Sequence, residues 1–147
     1  MPTISRVITT EAPIEDVFAY LADFSNAPEW DPGTASSIPR DGGLPHVGEV
    51  YDLVVTWGSR SLDMQYEIVE LESPRLIKLV GEGSTTKAID TMTLTEPADG
   101  GTAVHYEADI RLKGLLRFVE PFLGKKFDAL GDEAEAGMAR ELAALAD

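Results

Sequence analysis

The chain has 147 residues, no cysteine and a formal net charge of -14 at pH 7. Its length suits one domain, which we expect to span residues 1–147, and the missing thiols exclude disulfides, thiolate nucleophiles and cysteine zinc sites. The strong acidity repels phosphate backbones and anionic lipids, so we expect no nucleic-acid partner.

The sequence also predicts where the protein resides. No apolar run is long enough to span a bilayer, and no basic-then-apolar leader follows Met1. We therefore expect a cytoplasmic protein with no integral membrane segment.

The first quarter of the chain predicts one strand and two short helices. Residues 3–10 are rich in β-branched side chains, which is typical of a strand. Pro13 suits the start of a helix, and the apolar residues of the segment 14–22 then recur at helical spacing. The segment 24–32, with two prolines, predicts a turn or a one-turn helix anchored by Trp30.

After Gly33 the apolar residues alternate with a period of two, which predicts a series of antiparallel strands. Gly58-Ser59 is a hairpin signal between two of them. The predicted strands are residues 34–40, 48–57, a strand around 62–68, 75–81, 87–95, and a strand around 104–112.

The end of the chain predicts a long helix. Apolar residues from Leu123 to Leu145 recur at steps of three and four and form one stripe. Pro121 should break the helix, which gives a short helical piece over 114–120 and a main helix from about Phe122. The apolar residues of 115–119 are either a hydrophobic plug on the core or a lid over a pocket.

This order of elements predicts an α+β fold. A curved antiparallel sheet of about six to seven strands would wrap around the long C-terminal helix, because its apolar stripe must be buried. Two short helices would follow the first strand.

Two motifs support this prediction. Residues 10–18 (TEAPIEDVF) are similar to the signature x-x-A-P-x-E-x-V-[FW], and residues 23–32 (DFSNAPEWDP) to the core N-x-P-x-W-x-P. Both resemble the START-like (SRPBCC) superfamily, which includes Bet v 1-type and polyketide cyclase/dehydrase-like proteins. The resemblance implies one START-like domain over 1–147 with the helix-grip fold and a deep apolar cavity. Such cavities hold lipids, sterols, polyketides, quinones or plant hormones, and only some members are enzymes.

Residues on the inward phases of these elements are the candidate ligand contacts. Each alone is explained more simply by core packing, but apolar side chains with a few polar tips are typical of a small-molecule site. The candidates are Tyr51, Trp57, Met64, Tyr66, Met92, Tyr106, Leu116, Val119, Leu123 and Phe127.

Asp90 and Tyr66 are the candidates for catalysis. If Asp90 shares the inward phase of Met92, burial would raise the pKa of its carboxyl, making it a general acid or a hydrogen-bond donor to a carbonyl. A one-residue bulge would instead turn Asp90 outward. We expect His46 and His105 at the surface, and no metal, nucleotide or other cofactor, because the corresponding spacings are absent.

We therefore expect a protein that binds a hydrophobic or aromatic small molecule (lipid, polyketide or quinone-like) as a carrier or sensor. One alternative is a polyketide cyclase/aromatase- or dehydratase-like enzyme that uses Tyr and Asp groups in the cavity. Another is a co-chaperone-like module for a protein partner, and a homodimer through the edge at 34–40 also stays open.

Overall fold

The computed structural model describes residues 3–147. Seven strands and three α-helices follow in the order that the sequence predicts. They are β1 (Thr3–Thr10), α1 (Ile14–Ala22), α2 (Ala27–Trp30), β2 (Thr34–Pro39), β3 (Val50–Trp57), β4 (Arg60–Glu72), β5 (Leu76–Gly83), β6 (Thr86–Thr95), β7 (Thr102–Leu112) and α3 (Gly124–Leu145). Short 3₁₀ turns occupy Phe24–Asn26, Gly114–Phe118 and Glu120–Phe122.

The seven strands form one antiparallel sheet in the order β1-β7-β6-β5-β4-β3-β2. Consecutive strands from β2 to β7 are neighbours, and β1 pairs with β7 at the far edge. The register shifts in β2 between Thr34 and Ser36, and between Ile68 and Glu70 in the β4–β5 pair. Such irregularities bend a sheet. The predicted helix-grip fold, a curved sheet against a long terminal helix, is confirmed.

Helix α3 lies against the sheet through its predicted apolar stripe. Phe127, Ala134, Met138 and Leu142 are buried, and charged residues occupy the other side. Arg6 on β1 points to the same face of the sheet as Ile4 and Ile8 and pairs with the helix, with its guanidinium 3.1 Å from Asp132 and 3.3 Å from Glu135. The helix therefore closes the open side of the sheet.

Aromatic side chains from α2, the turn before it and β3 fill one end of the space between sheet and α3. Phe24, Trp30 and Tyr51 form an edge-to-face aromatic group in which the ring centroid of Phe24 lies 5.9 Å from that of Tyr51 and 6.3 Å from that of Trp30. All three side chains are at most 3% exposed. The core therefore occupies this end, and any open volume must lie towards the N-terminal half of α3.

The segment between β7 and α3 differs from its prediction in two ways. It forms two 3₁₀ turns rather than one helical piece, and α3 begins at Gly124 instead of Phe122. Gly114 at φ 60° and Pro121 explain the interruptions. The interpretation of residues 115–119 as a plug on the core is wrong, because Leu115 and Phe118 are 83% and 63% exposed.

Candidate functional site

A cavity of about 460 Å³ lies between the concave face of the sheet and the N-terminal half of α3. Its wall is formed mainly by apolar side chains of β3, β4, β6, β7 and α3, with Leu116 and Val119 at its mouth. This volume is in the range of small-molecule sites, which is about 300–1,000 Å³.

Eight of the ten predicted contact residues line this cavity. They are Trp57, Met64, Tyr66, Tyr106, Leu116, Val119, Leu123 and Phe127. Tyr51 and Met92 also point inward but lie outside its wall, at 1% and 0% exposure. They sit at the end of the sheet that α1 and α2 cover, so the structure places them in the packed core.

Two side chains of β4 cover the inner face of β5, where β5 has glycines. A Cβ atom built on Gly81 would lie 2.5 Å from Cζ of Tyr66, and one on Gly83 would lie 3.0 Å from Cγ of Met64. Glycine at these positions lets both side chains lie flat over β5 and form the cavity wall themselves. The pattern of apolar alternation alone did not predict this arrangement.

Asp90 faces the cavity. Strand β6 pairs with β5 and β7 without a register shift around this residue, so Ala88, Asp90 and Met92 all point inward. The hydroxyl of Tyr106 donates a long hydrogen bond of 3.4 Å to Oδ2 of Asp90, the only side-chain hydrogen bond that residues 3–147 give this carboxyl. Burial, strengthened by the nearby Asp31, raises the pKa of Asp90 to about 7.

Asp31 is the second acid of the cavity, and no pattern in the sequence singled it out. It lies in the turn after α2, where Oδ1 accepts the backbone N–H of Gly33 and Oδ2 accepts the hydroxyl of Thr34, each at 3.0 Å. Burial raises the pKa of its carboxyl, although these hydrogen bonds oppose the shift. An acid that follows a short helix and precedes a proline is usually a solvated turn residue.

Two tyrosines accompany these acids. Burial raises the pKa of both Tyr66 and Tyr106 well above the ordinary value, and the charge of Asp90 raises it further. Both hydroxyls therefore stay protonated at any physiological pH. The inner wall thus carries two hydroxyl donors and two carboxyls in otherwise apolar surroundings, a group we call the inner polar cluster (Asp31, Tyr66, Asp90 and Tyr106).

The mouth of the cavity has the opposite charge. Arg60 at the start of β4 lines the cavity, and the ammonium of Lys126 lies 5.2 Å from the ring centroid of Trp57. The ring of Trp57 in turn lies 5.3 Å from that of Phe127. The cavity therefore has cations near its mouth and two carboxyls on its inner wall. No pattern in the sequence indicated Arg60.

Neither histidine is near the cavity. His105 is on the outer face of β7, 2.8 Å from the hydroxyl of Ser5. His46 lies in an exposed loop, where its ligand atoms and those of Asp41 and Glu49 are within 4.8 Å of one another. The carboxylate of Glu49 accepts the backbone N–H groups of Asp41 and Gly42, so its evident role is to hold this loop.

Among residues 3–147, no helix combines the length and the apolar character that a membrane crossing needs.

Similar folds occur in solved structures of low sequence identity. A protein from Thermus thermophilus has a TM-score of 0.77 and 12% identity, over 99% of this chain and 100% of its own. A START superfamily protein from Mycobacterium smegmatis has a TM-score of 0.76 and 15% identity, over 97% and 98% of the two chains. The Zhui aromatase/cyclase from a Streptomyces species has a TM-score of 0.74 and 14% identity, over 99% and 93%. At these identities the likeness shows the fold alone.

A search of curated proteins gives no significant match. The family model described as polyketide cyclase / dehydrase and lipid transport, however, matches residues 1–146. Together with the curved sheet, the long terminal helix and the cavity between them, this match means that the chain belongs to the polyketide cyclase/dehydrase and lipid transport family.

Proposed function

We propose that the protein binds a hydrophobic or aromatic small molecule in this cavity and acts as its carrier or sensor. The observation that carries the proposal is an apolar cavity of about 460 Å³ with the inner polar cluster at one place on its wall. Apolar walls bind a ligand through burial of its surface, while a few placed polar groups fix its orientation.

The inner polar cluster favours a ligand with a carbonyl or phenolic oxygen. Below about pH 7 the carboxyl of Asp90 is protonated, and it can donate a hydrogen bond to a carbonyl oxygen. Tyr66 and Tyr106 supply further hydroxyl donors. Lipids with a carbonyl group, polyketides and quinones share these properties, so we propose that class of ligand.

Filling the cavity should weaken ligand binding. Ala88 is 4% exposed and lines the cavity, so Phe in its place should occupy ligand volume. We expect Ala88→Phe to weaken binding of the neutral hydrophobic dye N-phenyl-1-naphthylamine by about tenfold or more, because the added ring takes space that the dye needs; tenfold corresponds to about 1.4 kcal/mol of binding free energy. Fluorescence titration of the purified protein measures this.

Thr93→Phe is the matched control. It adds the same ring to the same strand on the exposed outer face. The control should bind the dye like the wild type, and both variants should keep the circular dichroism of the folded protein. Unchanged dye binding by a folded Ala88→Phe variant would refute the proposed site.

The second candidate is a cyclase- or dehydratase-like enzyme. It is favoured by Asp90, whose pKa of about 7 suits proton transfer near neutral pH. The aromatase/cyclase from Streptomyces has the same fold, which is compatible with this candidate. A turnover assay on an enolisable poly-ketone, with Asp90→Asn and Tyr66→Phe, distinguishes the two, because equal activity in both variants and the wild type would remove the proposed chemistry.

A further inference from the structure

The segment that forms the cavity mouth has an unusual surface. We call residues 113–126 the mouth segment. Five of the nine exposed large apolar residues among residues 3–147 fall within it, and Phe122, Leu115 and Phe118 are 84%, 83% and 63% exposed. Scattered apolar residues are ordinary on protein surfaces, but a contiguous apolar group normally marks a binding surface.

The apolar residues of the mouth segment point in two directions. Leu116 and Val119 line the cavity, whereas Leu115, Phe118 and Phe122 extend into solvent. The exposed group is therefore continuous with the entrance of the cavity. Whatever covers it also covers the route by which a ligand enters or leaves.

The mouth segment is also the basic part of an acidic protein. It has four cations and one acid, Glu120, so its net charge is +3, while the rest of the chain has a net charge of -17. The cations are Lys113, Arg117, Lys125 and Lys126. The carboxylate of Glu120 accepts the backbone N–H of Leu112 at 2.6 Å. The charge is thus concentrated where the apolar side chains are exposed.

Three of these cations are available to a partner. Lys113 is paired with Glu82 at 2.8 Å, but Arg117, Lys125 and Lys126 form no ion pair within residues 3–147. The guanidinium of Arg117 lies 5.0 Å from the ring centroid of Phe118, so a cation and an exposed aromatic ring project together. Apolar side chains beside cations suit the interface of an anionic bilayer, where rings enter the acyl region and cations reach the phosphates.

A second copy of the chain fits this surface less well. A two-fold symmetric contact through the mouth segment would bring Arg117 and Lys125 towards the same residues of the other copy. Like charges oppose such a contact. A lipid surface, in contrast, offers negative charge and apolar volume together.

We propose that the mouth segment docks the protein on an anionic lipid bilayer, with Leu115, Phe118 and Phe122 inserted and Arg117, Lys125 and Lys126 at the phosphates. The cavity then opens towards the membrane. The negative charge of the rest of the protein repels an anionic bilayer, so only this end can dock. At physiological salt this repulsion is screened beyond about 8 Å, so it does not prevent the mouth segment from docking. The inference does not depend on what the cavity binds.

Co-sedimentation with vesicles tests the proposal. We expect the wild type to sediment with phosphatidylcholine vesicles that contain phosphatidylglycerol, to bind pure phosphatidylcholine much less, and to be released by added salt. Leu115→Ser/Phe118→Ser/Phe122→Ser and Arg117→Gln/Lys125→Gln/Lys126→Gln should each lower the partition coefficient by about tenfold or more.

The control removes equally exposed apolar residues elsewhere. Ile38, Leu44 and Val47 are 64%, 87% and 57% exposed, so Ile38→Ser/Leu44→Ser/Val47→Ser should bind vesicles like the wild type. Failure of the wild type to bind, equal binding to both vesicle types, or wild-type binding by either mouth variant would overturn the proposal. If the wild type is instead a dimer that does not bind vesicles, and the apolar mouth variant is a monomer, then the surface binds a second copy of the chain. Leu115, Phe118 and Phe122 do not line the cavity, so the apolar mouth variant should still bind the dye. Dye binding by that variant would show that a failure to bind vesicles leaves the proposed ligand site intact.

Discussion

Gly137→Ala should lower the free energy of unfolding by about 3 kcal/mol, the range of overpacked buried sites. A Cβ atom at this position would lie 2.1 Å from the carbonyl oxygen of Trp30 and 2.9 Å from its carbonyl carbon. Both atoms belong to the backbone of α2, so the clash can be relieved only by moving α2 away from α3. Alanine normally stabilises a helix interior by about 0.5–1 kcal/mol relative to glycine, so the expected sign is reversed.

Gly124→Ala is the matched control for this experiment. Gly124 is the first residue of the same helix, and a Cβ atom there would have no atom within 4 Å apart from its chain neighbours and the helix's own backbone. Urea titrations followed by circular dichroism should give the control a midpoint equal to or above that of the wild type. A Gly137→Ala protein as stable as the wild type would mean that α2 and α3 do not approach each other this closely.

Asp90→Asn should stabilise the protein at alkaline pH and leave it nearly unchanged at acidic pH. Burial beside Asp31 raises the pKa of Asp90 to about 7 in the folded state, whereas the unfolded chain has an ordinary carboxyl pKa. Between these two values the folded state binds more protons than the unfolded state, so the stability of the wild type falls as the pH rises. Above about pH 7 the buried carboxyl of Asp90 is ionised in the folded state. For this difference between the folded and unfolded pKa, ionisation costs roughly 4 kcal/mol of stability.

Denaturant titrations at several pH values measure this effect. Between about pH 5.5 and pH 8 the wild type should lose about 2 kcal/mol more stability than Asp90→Asn. Asp63→Asn removes a carboxylate from the exposed face of β4 and controls for the change in net charge. The stability of Asp63→Asn should change with pH as that of the wild type does. If Asp90→Asn and the wild type instead give parallel curves of stability against pH, then the pKa of Asp90 is not raised by burial.

The sequence predicted the elements well where the periodicity is strong. Helix α1 follows the predicted segment 14–22, and β1 follows 3–10, because β-branched composition and a helical apolar face define them locally. The alternation of β6 left the direction of Asp90 open, and in the structure Asp90 shares the inward phase of Met92. Sequence alone could not decide the matter, because bulges depend on pairing, and the register shifts occur in β2 and the β4–β5 pair instead.

The cavity was harder to predict because it depends on tertiary packing. Tyr51 and Tyr66 have the same inward phase on neighbouring strands, yet only Tyr66 reaches the cavity. Phe24 packs against both rings, at centroid distances of 5.9 Å to Tyr51 and 5.3 Å to Tyr66, so the inward phase alone does not decide which ring borders the cavity. Asp31 was missed because its burial results from α2 and the sheet around it.

Native mass spectrometry of the protein purified from its own host tests the central claim most directly. The proposed function predicts that the wild type carries a stoichiometric extra mass of a hydrophobic compound that is lost on denaturation. The Ala88→Phe variant, prepared in the same way, should show little of it, while Thr93→Phe should retain it. A wild type with no bound mass, or the same mass bound equally to a folded Ala88→Phe variant, would contradict the assignment of this cavity as a ligand site.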